Sequence, residues 1–262
     1  LNNAEFGLAL LSASNDASRN WTSFQASASS LSFVGIEGLT ASATGISVFI
    51  NQAGKTGDKV VDYGWINADN TSLGRKTALD IPTSASSTLT LSMAGSEGEI
   101  IKAAAGLDLD LFGFFSVKGN FAVEQRSQQV VLSDGSVIKQ ADLITIGASD
   151  VDAFAGVRAG QDDAIGLKLG QVNFGLALIT DPDHKGRHFT SLQATAASAE
   201  VTGIDSLTAE VQNLLVNINQ GVSLPAEQAF DTKTNTQLKL TVPAGFAGRL
   251  SFGDGVGTQD AD

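Results

Sequence analysis

Five residues, Phe6-Gly7-Leu8-Ala9-Leu10, return as Phe174-Gly175-Leu176-Ala177-Leu178, an offset of 168 positions, and the match runs on without a gap. Trp21-Thr22-Ser23-Phe24-Gln25-Ala26 falls on Phe189-Thr190-Ser191-Leu192-Gln193-Ala194, and Val48-Phe49-Ile50-Asn51-Gln52 falls on Val216-Asn217-Ile218-Asn219-Gln220. Between residues 6 and 52 about twenty positions are identical to their partners, and several of the rest, such as Leu11 with Ile179, Phe24 with Leu192 and Ile46 with Leu214, exchange one apolar residue for another. Self-similarity at a fixed long period is the mark of a repeat architecture, in which each unit completes its packing on its neighbours. It constrains this chain more than any other feature.

The 262 residues hold one full period and about half of the next. Residues 1–95 read as a first copy with an extra excursion at about 53–80, residues 96–170 as a connecting segment that completes the period, and residues 171–262 as a truncated second copy. After Gln52 the copies diverge. Leu238-Lys239-Leu240-Thr241-Val242 matches Leu89-Thr90-Leu91-Ser92-Met93 at an offset of 149, so the second copy lacks about nineteen residues here. An indel of that size belongs in an exposed excursion, where extra length costs little.

Local patterning points to strands. Residues 4–12 alternate and end in the polar turn Ser14-Asn15-Asp16-Ala17-Ser18; Trp21–Phe33 and Leu39–Asn51 read as two antiparallel strands around Gly35 and Gly38. Lys55-Thr56-Gly57-Asp58 reads as a hairpin turn. The clearest period of two lies between Leu107 and Val123, where Leu107, Leu109, Leu111, Phe115, Val117, Phe121 and Val123 share one parity and Asp108, Asp110, Ser116, Lys118, Asn120 and Glu124 the other. That pattern predicts a strand or bent strand pair with one face buried. Ser133-Asp134-Gly135 carries the Asp-Gly signature of a hairpin; Leu143–Gly147 and Val151–Val157 read as two further short strands, and Ala226–Phe230 as a turn of helix. With 28 glycines and four prolines, the chain reads as all-β: antiparallel meander strands forming an elongated sandwich or solenoid-like stack.

Charge narrows the partners. At a net charge of −12 the surface repels phosphate backbones and anionic membranes, so nucleic acid is not an expected partner and no apolar run is long enough for membrane insertion as a helix. There is no cysteine, hence neither disulfide nor thiolate metal site. The chain opens at Leu1 and not at Met, as expected of a processed or excised piece of a longer protein.

Few residues suggest chemistry. Asp181, Asp183, His184 and His188 place two carboxylates and two imidazoles within eight residues, a donor set for a divalent metal. The equivalent loop of the first copy, Ser14–Arg19, has no histidine, which favours a solvated turn. Acidic pairs at Asp150 and Asp152, Asp162 and Asp163, and Asp254, Asp260 and Asp262 make calcium the one cofactor to consider, although none follows an EF-hand pattern. Asp108 and Asp110 lie two apart on a strand and face one way, unlike the opposed carboxylates of glycoside hydrolysis. No nucleophile elbow, phosphate loop or dinucleotide fingerprint is present, so no enzymatic activity is expected. Tyr63 and Trp65, in the excursion, are the ring platforms available for a glycan or apolar ligand.

Taken together, Phe6–Leu10, Trp21–Ala26, Val34–Thr40, Val48–Gln52 and Leu111–Val117 resemble the tandem repeats of very large secreted, adhesin-like (RTX-type) bacterial surface proteins. The resemblance is one of repeat texture over nearly the whole chain. It implies an extracellular or cell-surface location, neighbouring repeats or identical chains as partners, and calcium-binding, adhesive or secretion modules elsewhere in the parent. The expected function is a structural extender or scaffold segment, with a filament as one form of its assembly. The alternative is a glycan- or apolar-ligand-binding β module.

Overall fold

The computed structural model describes residues 1–55, 58–64, 78–204, 207 and 209–223. Among these, eleven strands and one short 3₁₀ turn (Gly95–Glu97) account for the regular structure, and there is no α-helix. The strands are β1 Glu5–Ala13, β2 Asp16–Phe33, β3 Leu39–Ala53, β4 Leu79–Pro82, β5 Thr88–Leu91, β6 Ile100–Leu111, β7 Phe115–Val131, β8 Val137–Val157, β9 Ile165–Thr180, β10 Arg187–Thr202 and β11 Ala209–Ser223.

Nine of them form one antiparallel sheet in the order β1-β2-β3-β6-β7-β8-β9-β10-β11, a meander interrupted only where β4 and β5 pair with each other outside it. Sequence neighbours pair because short polar turns join them. At the start of β2, just after the turn from β1, Asp16 Oδ1 accepts hydrogen bonds from the Ser18 N–H at 3.0 Å and its O–H at 2.6 Å. Asp110 Oδ1 accepts from the Gly113 N–H at 2.9 Å between β6 and β7, and Asp134 Oδ1 from the Ser136 N–H at 2.8 Å between β7 and β8. Each is a side chain standing in for a backbone partner at a turn. In the last, Gly135 has a φ of 82°, a left-handed conformation that favours glycine.

The 168-residue offset is preserved in the pairing. Phe6 faces Ala26 and Phe174 faces Ala194; Leu11 faces Trp21 and Ile179 faces Phe189; Phe24 faces Ile50 and Leu192 faces Ile218. Irregularities recur with the same offset. Positive φ values occur at Asn3 and Gln171, at Gly35 and Gly203, and at Gly45 and Asn213, each pair 168 positions apart. The repeat is therefore a three-strand unit with its own bulges, β1-β2-β3 and β9-β10-β11, and one period spans six strands of the sheet.

The expected meander is present. Its second layer, however, is confined among the described residues to the β4–β5 hairpin and residues 58–64, so over most of its width the sheet is a single layer. A small core lies beneath that cover: Ala9, Tyr63, Leu89, Leu91, Met93 and Ile100 are buried together, with Leu11, Phe49, Val61, Leu79 and Ile81 packed around them. Leu91 is 0% exposed. Residues 137–157, read from sequence as the second arm of the Asp134-Gly135 hairpin followed by two further short strands, form the single strand β8; its register shifts around Asp150, whose φ is 53°, absorb Gly147-Ala148-Ser149-Asp150 as a bulge. Ala226–Phe230 lies outside the described residues.

Candidate functional site

Direct cross-strand partners share a face, so the register divides the sheet into a front and a back. The front carries β4–β5 and the ion pairs Lys102–Glu124, at 3.8 Å, and Lys118–Asp108, at 3.0 Å. It also carries the excursion residue Tyr63, which is not the exposed ring expected from sequence. Tyr63 is buried, and its O–H donates to Ser23 Oγ at 2.9 Å; Ser23 Oγ donates to Asn51 Oδ1 at 3.1 Å, and Asn51 Nδ2 to the Val61 carbonyl at 2.8 Å. Burial pushes the phenol's pKa up, against a smaller downward pull from the bond to Ser23. The ring fastens the excursion to the sheet and offers no platform to a sugar. Trp65 lies outside the described residues.

The acidic and imidazole candidates gather less than their spacing suggests. Asp181 is buried in the β9–β10 turn. Its Oδ2 accepts from Arg187 Nη1 and faces His184 Nδ1, each at 3.0 Å, while its Oδ1 accepts from the Asp183 N–H at 3.1 Å. Burial works to raise the Asp181 pKa, but the hydrogen bonds from His184 and the Asp183 amide, with the charges of His184 and Arg187, outweigh it and leave the carboxyl below its ordinary value. Both carboxylate oxygens are already engaged by donors, one of them the Arg187 guanidinium. His188 turns away, its Nδ1 lying 3.3 Å from Thr180 Oγ1. The structure thus brings Asp181, His184 and Arg187 together and leaves the Asp183 carboxylate and His188 apart.

One carboxylate of each of the other described acidic pairs, Asp152 and Asp163, has a structural partner. Asp152 Oδ1 accepts from the Gln171 N–H at 3.0 Å, the Asp150 N–H donates to Asn173 Oδ1 at 3.1 Å, and Asp163 pairs with Arg158 at 2.9 Å. Asp254, Asp260 and Asp262 lie outside the described residues. Among the described residues no three carboxylate or imidazole groups converge on one point.

Further across the front, an open trough of about 480 Å³ runs over Gly147, Gly175, Ala177 and Ser191, bordered by Lys102, Glu124 and Gln193. It occupies in the second unit the ground that β4–β5 covers in the first: Gly175, Ala177 and Ser191 are the counterparts of Gly7, Ala9 and Ser23.

The largest feature is the back, which sequence reading missed. One hydrogen-bonded row crosses all nine strands as Phe6, Ala26, Val48, Ala103, Val123, Ile146, Leu176, Leu192 and Ile218, apolar at every position. None of the nine is buried, and Val123, midway along the central strand, is 42% exposed. The next row continues the surface through Leu8, Phe24, Ile50, Ile101, Ile144 and Leu178, broken by Gln125, Thr190 and Gln220. The alternation between Leu107 and Val123 gives the right parity here, yet among the described residues nothing covers the face it predicts as buried. Monomeric soluble domains rarely expose an apolar surface of this continuity, which makes the back the candidate contact surface. The signal was available in the repeat itself, since Phe6, Leu8 and Leu10 share a parity with Phe174, Leu176 and Leu178. Compared with known proteins, the chain matches no family model, no curated protein and no solved structure.

Proposed function

We propose that this chain is an extender segment of a bacterial cell-surface or extracellular repeat protein, giving reach and stiffness by continuing one β-sheet through successive periods. The observation that carries the reading is the fate of the sheet edges. β9 uses one edge to pair with β8, and that same edge is bare of described strands on its counterpart β1; β3 uses one edge to pair with β6, and that edge is likewise bare of described strands on β11. Each end of the sheet is thus an interrupted version of a junction that the interior completes. A bare edge of long strands is an aggregation hazard unless something pairs with it, and a preceding or following period supplies the matching strand. The front-face ion pairs and the acidic surface suit a protein exposed to salt, and absence of cysteine suits a secreted repeat protein.

The test is to express chains of one, two and four complete periods and measure particle length by electron microscopy. Six strands at about 4.8 Å predict roughly 29 Å of added length per period. Particles that grow as separate beads, or not at all, would remove the reading. Repeating the measurement with a chelator addresses calcium, which in this reading stiffens junctions between periods: rods that shorten or bend on chelation place it there, and unchanged rods exclude it from that role.

A further inference from the structure

We infer that the apolar back of the sheet is an interface with a second copy of this chain, two sheets stacking back to back to complete the sandwich that the described residues of one chain leave half built. The inference deepens the extender reading and rests on it for its repeating geometry. Three observations select this occupant. The first is area. A third apolar row follows the two that cross the back, through Ala28, Ile46, Phe121, Ala148, Phe174 and Val216. Three rows on one face are roughly six residues deep at about 3.3 Å per residue, which over nine strands about 4.8 Å apart gives on the order of 900 Å² per sheet, or roughly 1,800 Å² for a pair, the size of specific and stable interfaces. The second is charge. The chain carries a net charge of −12, but the two rows that cross the back are uncharged, and the Lys102–Glu124 and Lys118–Asp108 pairs lie on the front, so two backs meet without juxtaposing like charges.

The third is period. The pattern of the back in β1-β2-β3 recurs six strands away in β9-β10-β11, where Phe174, Leu176 and Leu178 stand for Phe6, Leu8 and Leu10, and Leu192 and Ile218 for Phe24 and Ile50. A partner that matches both units must repeat its own surface at that spacing, which a copy of the chain does by construction. Small residues alternate with large ones across the surface, Ala26 and Ala103 beside Phe6 and Val48, as interdigitating sheet faces require. Val123 is the middle residue of the middle strand, so under a two-fold that superimposes the two whole faces it opposes its own copy.

The cysteine-free chain makes the test direct. Sedimentation of the whole chain at micromolar concentration is expected to show a dimer, and Val123→Lys is expected to raise the dissociation constant on the order of 100-fold by placing two unpaired ammonium groups in the centre of the contact. Since Val123 is exposed in the single chain, circular dichroism should be unchanged. Val123→Cys should form an intermolecular disulfide under mild oxidation, whereas Asn120→Cys, on the front of the same strand, should not; this conservative pair decides the matter if the lysine variant fails to fold. A wild-type monomer would overturn the inference, as would a dimer indifferent to Val123→Lys or one that Asn120→Cys cross-links as readily. Uptake by phosphatidylcholine vesicles in place of dimerisation would assign the face to lipid and also overturn it. Failure here leaves the added length per period intact, and failure of that lengthening leaves the pairing of single-period chains intact, so the two readings fall separately.

Discussion

The two units share their strands, registers and bulges but differ in what lies on their front. In β1-β2-β3, Gly7, Ala9, Ser23 and Asn51 are buried under the excursion and the β4–β5 hairpin; in β9-β10-β11 the counterparts Gly175, Ala177, Ser191 and Asn219 are half-buried or exposed. The hydrogen bond between serine and asparagine is kept in both, at 3.1 Å for Ser23–Asn51 and 2.9 Å for Ser191–Asn219. Arg19 and Arg187 are likewise counterparts, stacked over Trp21 at 5.2 Å and over Phe189 at 5.7 Å. Their acids are not. Arg19 pairs with Asp58 from the excursion at 2.9 Å, and Arg187 with Asp181 from its own turn at 3.0 Å. Where the cover that supplies one carboxylate is shortened in sequence, a local residue supplies another. The sheet is thus the invariant part of the repeat, and its cover is what varies.

The sharpest way to break this contrast is to remove the cover's anchor. Leu91→Ala should cost about 2–5 kcal/mol of unfolding free energy, the range for a fully buried leucine whose cavity cannot collapse. Chemical denaturation followed by circular dichroism measures it. A loss below about 1 kcal/mol would mean that the hairpin is a loose addition and that both units are in effect uncovered.

A pair of equivalent substitutions separates the units next. Ser23→Ala leaves the Tyr63 hydroxyl and the Asn51 carbonyl oxygen without a buried partner and should cost about 1–3 kcal/mol. Ser191→Ala, at the more accessible copy of the same bond, should stay within about 0.5 kcal/mol. Equal losses in the two variants would show that cover does not decide the value of this bond.

Glycine substitutions should differ even in sign. A Cβ on Gly7 would lie 2.9 Å from Leu89 Cδ2 and 3.0 Å from Ile81 Cδ1, so Gly7→Ala has to displace the tips of the hairpin's side chains, at about 1 kcal/mol or more. A Cβ on Gly175 meets nothing within 4 Å, and neither glycine has a left-handed φ. Gly175→Ala should therefore stabilise by about 0.5–1 kcal/mol, the conformational gain of alanine over glycine within a strand. Melting temperatures of the two variants moving the same way would contradict the difference in cover.

What could be read from sequence divides along the same line. The strands of the repeated unit, the β6–β7 pair and the Asp134-Gly135 hairpin follow from alternation and turn residues, all of which act within a few positions. The role of Tyr63 does not, because its partner Ser23 lies forty residues away and a lone tyrosine beside polar residues carries no sign of the contact. The fate of Asp181 was half visible: proximity in sequence placed His184 beside it, but only the strand pairing of β9 with β10 brings Arg187 back onto the same carboxylate. The apolar back was legible one strand at a time and became a surface only when the register aligned nine strands.

The smallest effect concerns pH, and it tests whether Asp181 and Asp58 are equivalent replacements. The Asp181 carboxyl is held below its ordinary pKa, so its ionised form favours the folded chain. That contribution is fully present above the pKa of the unfolded chain and is lost as pH falls through the lower folded value; protonation then removes the acceptor of Arg187 and His184. In the wild type, acid should loosen the β9–β10 turn at a pH below the ordinary carboxylate range, visible as a loss of amide protection, taken relative to the intrinsic exchange rate at each pH, at Asp183 and His184, whose N–H groups bond to Asp181. In Asp181→Asn that pH step should disappear, with protection at those amides lower at neutral pH and flat into acid. Asp58→Asn should leave the step unchanged, because Asp58 holds Arg19 at the other unit. A step that survives in Asp181→Asn would move its origin to another carboxylate and undo the pairing of the two arginines with their separate acids.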